Sequence, residues 1–523
     1  MREAGGGGLV RVRAGRQHPP RMTMPPTSVP SPARTTGLAR ELGLLGLVAT
    51  GVCSMVGVAI NIIPFMMQRN VPGIGPFVLP AYLMASVPAV LAALAYAVLA
   101  SAMPRAGGSY VYASRALNPY LGFVASFSQW FGLSIAIGVV SYAIPPFLRD
   151  VAVPLGWAGA ARALDNGTVR LAVALACCWA AVLVNVLGVA VVARTLVPLM
   201  LLTFAGGTVV IVAGFHFTHA DFAAALLARE GRAVPVAASS FSWGALASAS
   251  ALLFASYIGF DSIVQAGGEA RRATRNVPLA TGIAVGVVGV FYLLFTAAVY
   301  HAVPWSYVAA EAQHRDITAP GLLGYLLSPG WTVVIVAFAA LALIKDLPGM
   351  VLGVSRLMYA WAADGIMPAA LKRVHPRWRT PHVALLASGA MATIGILGCH
   401  LAGDFFVGVD VLVTSMLVSF VLMSVAVLVL PWRNPELARA VTILRSRLVQ
   451  VPVALAGIAA LGGLLATTVW RDLETPVRAW YYRSTPVWFA VMAIATVIYV
   501  RERRQLRRAG VDLAARFAAL PPE

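Results

Sequence analysis

The chain has 523 residues, of which 59% are hydrophobic and only 11% charged. Soluble chains carry about 25% charged residues, so this composition excludes a string of soluble domains and points to a polytopic membrane protein. The excess of 39 Lys+Arg over 20 Asp+Glu gives a formal charge of +19; in a soluble protein that would suggest a nucleic-acid partner, but its placement along this chain has another explanation.

Residues 1–36 combine the glycine run Gly5 to Gly8 with several prolines and arginines and show no apolar face. They are expected to be a disordered cytoplasmic tail, with no signal-peptide core before the first span. Twelve apolar runs follow, near 43–68, 75–101, 120–149, 169–191, 195–216, 243–267, 277–303, 330–361, 381–402, 404–431, 449–470 and 485–501. Each is close to the roughly 20 residues that cross a bilayer core. Long continuous runs are helices, not the alternating strands of a membrane barrel. The expected fold is therefore all-α and polytopic. A transport core covers 37–431, two appended helices 432–501, and a basic tail 502–523, where Leu506, Val511, Leu513, Phe517 and Leu520 stand among arginines as in an interfacial helix on anionic lipid or a solvated tail.

With the N-terminus in the cytoplasm, about 27 of the 39 basic residues fall on that side, including Arg105, Arg115, Arg271, Arg272, Arg275, Lys372, Arg373, Arg377 and Arg379. This is the bias that orients membrane helices, so both termini are expected in the cytoplasm and no nucleic-acid role is needed. Cys53, Cys177, Cys178 and Cys399 lie in apolar stretches without metal-ligand spacing, so neither a disulfide framework nor a metal site is implied.

The first run carries VGVAINIIP (Val56 to Pro64) and the sixth FASYIGFD (Phe254 to Asp261) followed by QAGGE. Glycine beside a polar residue at membrane depth suits a helix that unwinds to present backbone groups to a ligand. The alternative is close helix packing at Gly57 and Gly259. The interruptions open two consecutive sets of five helices, the pattern of an inverted repeat.

Three long stretches then resemble the amino acid–polyamine–organocation (APC) superfamily: MPRAGGSYVYASRALNPYLGF (Met103 to Phe123), FASYIGFDSIVQAGGEARRATRNVPLA (Phe254 to Ala280) and SRLMYAWAADGIMPAALKRVHPRWRTPHVAL (Ser355 to Leu385). The resemblance implies a leucine-transporter-type fold, five helices plus five inverted with two appended. It also implies secondary active transport of amino acids or related amines across the cytoplasmic membrane by alternating access, coupled to protons or exchange, with a sodium-coupled symporter as the alternative and no cofactor. Carried over by position, the substrate site is Gly57, Val58, Ala59, Ile60 and Asn61 in the first break and Phe254, Ser256, Tyr257, Ile258 and Gly259 in the second. The family's usual G-(S/T)-G-I-F is here Gly57-Val58-Ala59-Ile60-Asn61, which removes a hydroxyl and an aromatic and leaves open an amino acid held by backbone alone, a bulky one, or an amine without a carboxylate.

Each charge at bilayer depth needs a reason, since it costs a few kcal/mol. Arg356 and Asp364 fall in the third motif and are expected to order an inner gate or to snorkel to the interface; Asp261 is expected to cap donors at the second break, with proton coupling as the other possibility; Asp404 and Asp410 flank the start of the tenth run, with Asp404 expected in water. Lys345 and Asp346 stand deep in the eighth run, in a chain with 37 arginines and two lysines. Lysine can exchange its proton where arginine cannot. Some sodium-independent family members resemble one another in carrying a fifth-helix lysine in place of the ion; here the fifth run has none, so Lys345 is the candidate substitute, and Lys345, Asp346 and Asp261 are the expected ion-coupling residues. Neighbouring helical positions diverge by about 100°, which argues against a Lys345–Asp346 pair. A membrane-embedded enzyme is the rival class, but His216, His219, His301 and His314 all fall at or beyond the ends of the runs.

Overall fold

The computed structural model describes residues 8, 40–152, 154–402, 406–474, 476, 479–512, 516–517 and 519–520. The expected disordered tail, apart from residue 8, and Asp404 and Leu513 lie outside the described residues. The first apolar run folds in three pieces, α1 (Leu44–Met55), α2 (Val58–Asn61) and α3 (Ile63–Asn70). There follow α4 (Val78–Ala102), α5 (Gly108–Ala116), α6 (Pro119–Ala152), α7 (Ala158–Asp165), α8 (Gly167–Val186), α9 (Val189–His216) and α10 (His219–Glu230). The sixth run is again broken into α11 (Trp243–Leu253), a 3-10 turn over Phe254–Tyr257, and α12 (Asp261–Gln265). Then come α13 (Ala273–Ala302), α14 (Trp305–Ala312), α15 (Ala319–Leu323), α16 (Pro329–Asp364), α17 (His382–Ala402), α18 (Phe406–Arg433), α19 (Pro435–Arg439), α20 (Arg447–Glu474) and α21 (Ser484–Arg508).

Among the described residues, ten helices are long and apolar enough to cross a membrane. The two other expected spans are the interrupted ones, whose apolar pieces Leu44–Met55 and Trp243–Tyr257 are too short by themselves. The protein is thus an all-α polytopic membrane protein. The fourth span ends earlier than its apolar run suggests, at Val186, because Gly188 turns the chain at φ 126°, a conformation that glycine adopts at little cost. Among the described residues six short helices in the connections, α5, α7, α10, α14, α15 and α19, were not expected. α10 starts with a capping box between Thr218 and Asp221, which satisfies two orphan donors of its first turn; α5, α14 and α15 close the ends of the bundle.

α6 lies at the centre and packs on α16, α17 and α18, while α13 packs on α4 and α9 and the last two spans, α20 and α21, pack on α18. Small residues set the closest crossings: a Cβ on Gly138 of α6 would come within 2.5 Å of the Ala392 carbonyl on α17. Membrane helices rely on such contacts because lipid supplies no hydrophobic drive between them.

The face that carries the ordered chain ends is tied together by backbone pairing. Leu42 N donates to Glu269 O at 3.0 Å, Arg271 N to Leu42 O at 2.8 Å, and Gly107 N to Gln265 O at 3.0 Å. The basic tail, expected on lipid or in water, folds back onto this face. Arg516 Nη2 donates to Ala363 O at 3.0 Å, Arg115 Nε donates to Ala519 O at 3.1 Å, and the Arg115 guanidinium stacks over Phe517, which is buried. An aromatic side chain against a guanidinium explains the departure, since the tail finds its cation–π partner within the protein.

Candidate functional site

The two breaks meet in the middle of the bundle. α1 stops at Met55 because Val56 turns extended at φ −88°, ψ 99°, and the 3-10 turn after α11 stops because Ile258 is extended and Gly259 has φ 134°. A Cβ at Gly259 would lie 2.4 Å from Ser54 O, so the second break passes directly across the end of α1. Helix ends leave four carbonyls without intrahelical donors, and here other helices supply them. Tyr292 of α13 donates to Met55 O at 2.5 Å. Lys345 of α16 donates through Nζ to Val56 O and, at 3.4 Å, to Cys53 O. Asn61 Nδ2 returns to Gly57 O at 2.9 Å.

At the second break the freed Gly259 N donates to Asp261 Oδ1 at 3.0 Å, and Gln129 of α6 donates to Asp261 Oδ2 at 2.5 Å. Gln265 Nε2 bridges Gln129 Oε1 (3.2 Å) and Ser109 Oγ (2.8 Å), and Ser109 meets the Tyr96 hydroxyl at 2.7 Å. Asp261 therefore caps donors at the break, at the head of a buried polar chain that runs to α5.

Lys345 and Asp346 are both buried, and their side chains do pair, Nζ to Oδ1 at 3.3 Å. This corrects the expectation from helical geometry. The four-carbon lysine stem reaches around the helix, and both heads converge on the same gap at the end of α1. Gly57 makes room for the carboxylate: a Cβ there would lie 1.6 Å from Asp346 Oδ2. α16 comes close enough because Gly349 faces Ser54 and Gly353 faces Ser262.

A cavity of about 60 Å³ lies between the breaks, lined by Ser54, Met55 and Ala59 of the first, Ala255 and Ile258 of the second, Val140 of α6, Met350 of α16 and Leu412 of α18. Asp346 is the one charged side chain lining it among the described residues. Of the residues carried over by position, Ala59 and Ile258 reach this cavity, and Gly57 and Gly259 shape its approach. Phe254 packs edge-on against Phe420, and Tyr257 packs with Tyr82 and Tyr292. Ser256 is buried. Ile60 and Asn61 point into a separate small cavity beside Thr203, Phe291 and Phe338. The side chain of Val58 lies outside the described residues.

Arg356 and Asp364 do not pair with each other. Arg356 Nε donates to Glu269 Oε1 at 2.7 Å, and Arg115 donates to Asp364 at 2.5 and 3.1 Å, with the Tyr110 hydroxyl adding a bond at 2.8 Å. These two buried ion pairs lock α16 to α5 and to the loop after α12. Glu269 was not singled out from sequence, and Arg115 was read only as one of the basic residues that orient the helices; both stand in motif stretches beside apolar runs, which was the available signal. Among the described residues no group of His, Cys, Asp and Glu could hold a metal.

Residues 42–500 match the family model described as amino acid permease, and the chain belongs to that family, within the APC superfamily of transporters. It is 27% identical over 425 residues to the branched-chain amino acid permease BcaP of Bacillus subtilis, covering 78% of this chain and 85% of that one. It is also similar to the vacuolar cationic amino acid transporter 4 of Arabidopsis thaliana (27% identical, 76% and 64% covered). The methylthioribose transporter of Bacillus subtilis aligns at 22% identity over 91% and 96% of the two chains.

Proposed function

We propose that this amino acid permease is a secondary active transporter of amino acids or related amines in the cytoplasmic membrane, working by alternating access and driven by protons or exchange. Its core, residues 37–431, is read as a five-plus-five inverted repeat, because the two broken spans are the first and the sixth. Both termini are read as cytoplasmic, because about 27 of 39 basic residues then lie inside. The relatives named for branched-chain and cationic amino acids support an amino acid or amine substrate, whereas the one named for methylthioribose, a sugar, shows that the family's scaffold also takes other small polar molecules.

One observation carries the coupling: the Lys345 ammonium rests on the carbonyls of Cys53 and Val56 at the end of α1. A helix C-terminus attracts positive charge, and a resident ammonium there takes the place a coupling cation would need. In this reading substrate enters between the breaks, Asp261 holds the second break open for it, and the Arg356–Glu269 and Arg115–Asp364 pairs form the inner gate. Uptake in proteoliposomes tests it. Accumulation should follow the proton gradient or a counter-substrate, persist when choline replaces sodium, and be lost in Lys345→Met. Uptake that requires sodium would favour the symporter instead.

A further inference from the structure

We infer that Asp346 is a shared counter-ion, held by the Lys345 ammonium in the empty site and taken over by the ammonium group of a primary amine substrate, whose binding expels the Lys345 proton. This rests on the transporter reading above and adds the substrate class and the stoichiometry. The recognised group is the amine; a substrate carboxylate is not required.

An ammonium has three donors, and those of Lys345 go to three acceptors: Val56 O, Cys53 O and Asp346 Oδ1. Neutral lysine has two donors, enough for the two carbonyls. Loss of one proton therefore costs the bond to Asp346 alone and releases that carboxylate oxygen towards the cavity. Asp346 is the cavity's one charged lining residue among those described. A single carboxylate in a low-dielectric site compensates one cation, and two cations around it repel strongly. Before binding, Lys345 (+1) and Asp346 (−1) sum to zero; afterwards neutral Lys345, Asp346 (−1) and the substrate ammonium (+1) sum to zero, and one proton has passed to water on the open side. The rest of the lining, including Met55, Ile63, Val140, Ile258 and Met350, is apolar and offers an apolar body no second charge.

Other ionisable groups near α16 are already committed. Asp261 is held by Gln129 and Gly259, Arg115 belongs to the inner ion pairs, and Arg149, Asp150 and Arg170 line a separate cavity at the far end of the bundle. Of the remaining titratable neighbours, the Cys53 thiol donates to Leu196 O at 3.4 Å and the Tyr292 hydroxyl is spent on Met55 O.

The experiment compares leucine, 3-methylbutylamine (leucine without its carboxylate) and 4-methylpentanoate (leucine without its amine) on the purified full-length protein. In wild type the amine should raise the thermal midpoint and 4-methylpentanoate should not. Each bound amine should release about one proton, read with a pH dye in weak buffer, and affinity should rise about tenfold per pH unit by linkage. Asp346→Asn should abolish amine binding. Lys345→Met should bind the amine with a flat pH dependence and no proton release, which separates loss of the counter-ion from misfolding. Binding of 4-methylpentanoate but not of 3-methylbutylamine, amine binding without proton release, or leucine uptake undiminished in Asp346→Asn would each overturn the inference while leaving the transporter reading intact. Absence of accumulated uptake for amino acids and amines alike would count against the transporter reading itself.

Discussion

The carboxylate of Asp346 sits over the backbone of Gly57, so close that any side chain at residue 57 would occupy the same space as Oδ2. An eighth-span acid therefore lies inside the first-span break, and the glycine there admits the acid rather than merely loosening the helix. Gly57→Ala should abolish uptake and lower the thermal midpoint. Adding Asp346→Ala to Gly57→Ala should restore stability but not transport. A fully active Gly57→Ala would show that the carboxylate sits elsewhere during the cycle.

Gly259 combines φ 134° with a Cβ position 2.4 Å from Ser54 O, so substitution is both strained and obstructed. Backbone strain of this kind costs about 1–3 kcal/mol. Gly259→Val is expected to reach the membrane in normal amount and to lose uptake, as immunoblotting and a transport assay would show together.

The two buried ion pairs that Arg356 and Asp364 of α16 make should behave as pairs. Removing one partner of a buried pair costs about 3–5 kcal/mol because it leaves a charge unmatched. Arg356→Met and Glu269→Gln should each destabilise strongly, and the double variant should be milder than their sum. Additive effects in a double-mutant cycle would mean that the contact at 2.7 Å carries little coupling.

Asn61 closes back onto Gly57 O and lies outside the cavity that Asp346 lines. Asn61→Ala should cost about 1–3 kcal/mol by leaving that buried carbonyl without its donor, while the order of substrates in a competition assay stays the same. A reordered profile would place the amide against substrate.

The spans were legible because roughly 20 apolar residues in a row have few other uses, and the breaks because Gly57 and Gly259 stand beside polar residues where lipid offers no hydrogen bonds. What those charges touch was not legible. The Arg356–Glu269 and Arg115–Asp364 pairs join residues 87 and 249 positions apart, which no local spacing encodes. Lys345 and Asp346 failed for a different reason: the angle between neighbouring helical positions describes where Cβ atoms point, and a lysine head four carbons farther out is free to turn back. The fold-back of the tail was hidden too, since Phe517 among arginines fits a lipid surface as well as it fits Arg115.

The two interrupted spans also affect how the topology is counted. Among the described residues a census of uninterrupted membrane helices finds ten instead of twelve, and both numbers are even, so the chain ends come out on one side either way. The parity between them does not survive: with the first and sixth crossings left out, the connections around Arg115 and Arg232 exchange sides. A reporter fused after Arg232 would therefore reveal whether the broken helices cross the bilayer as full spans, which reporters at the two termini cannot detect.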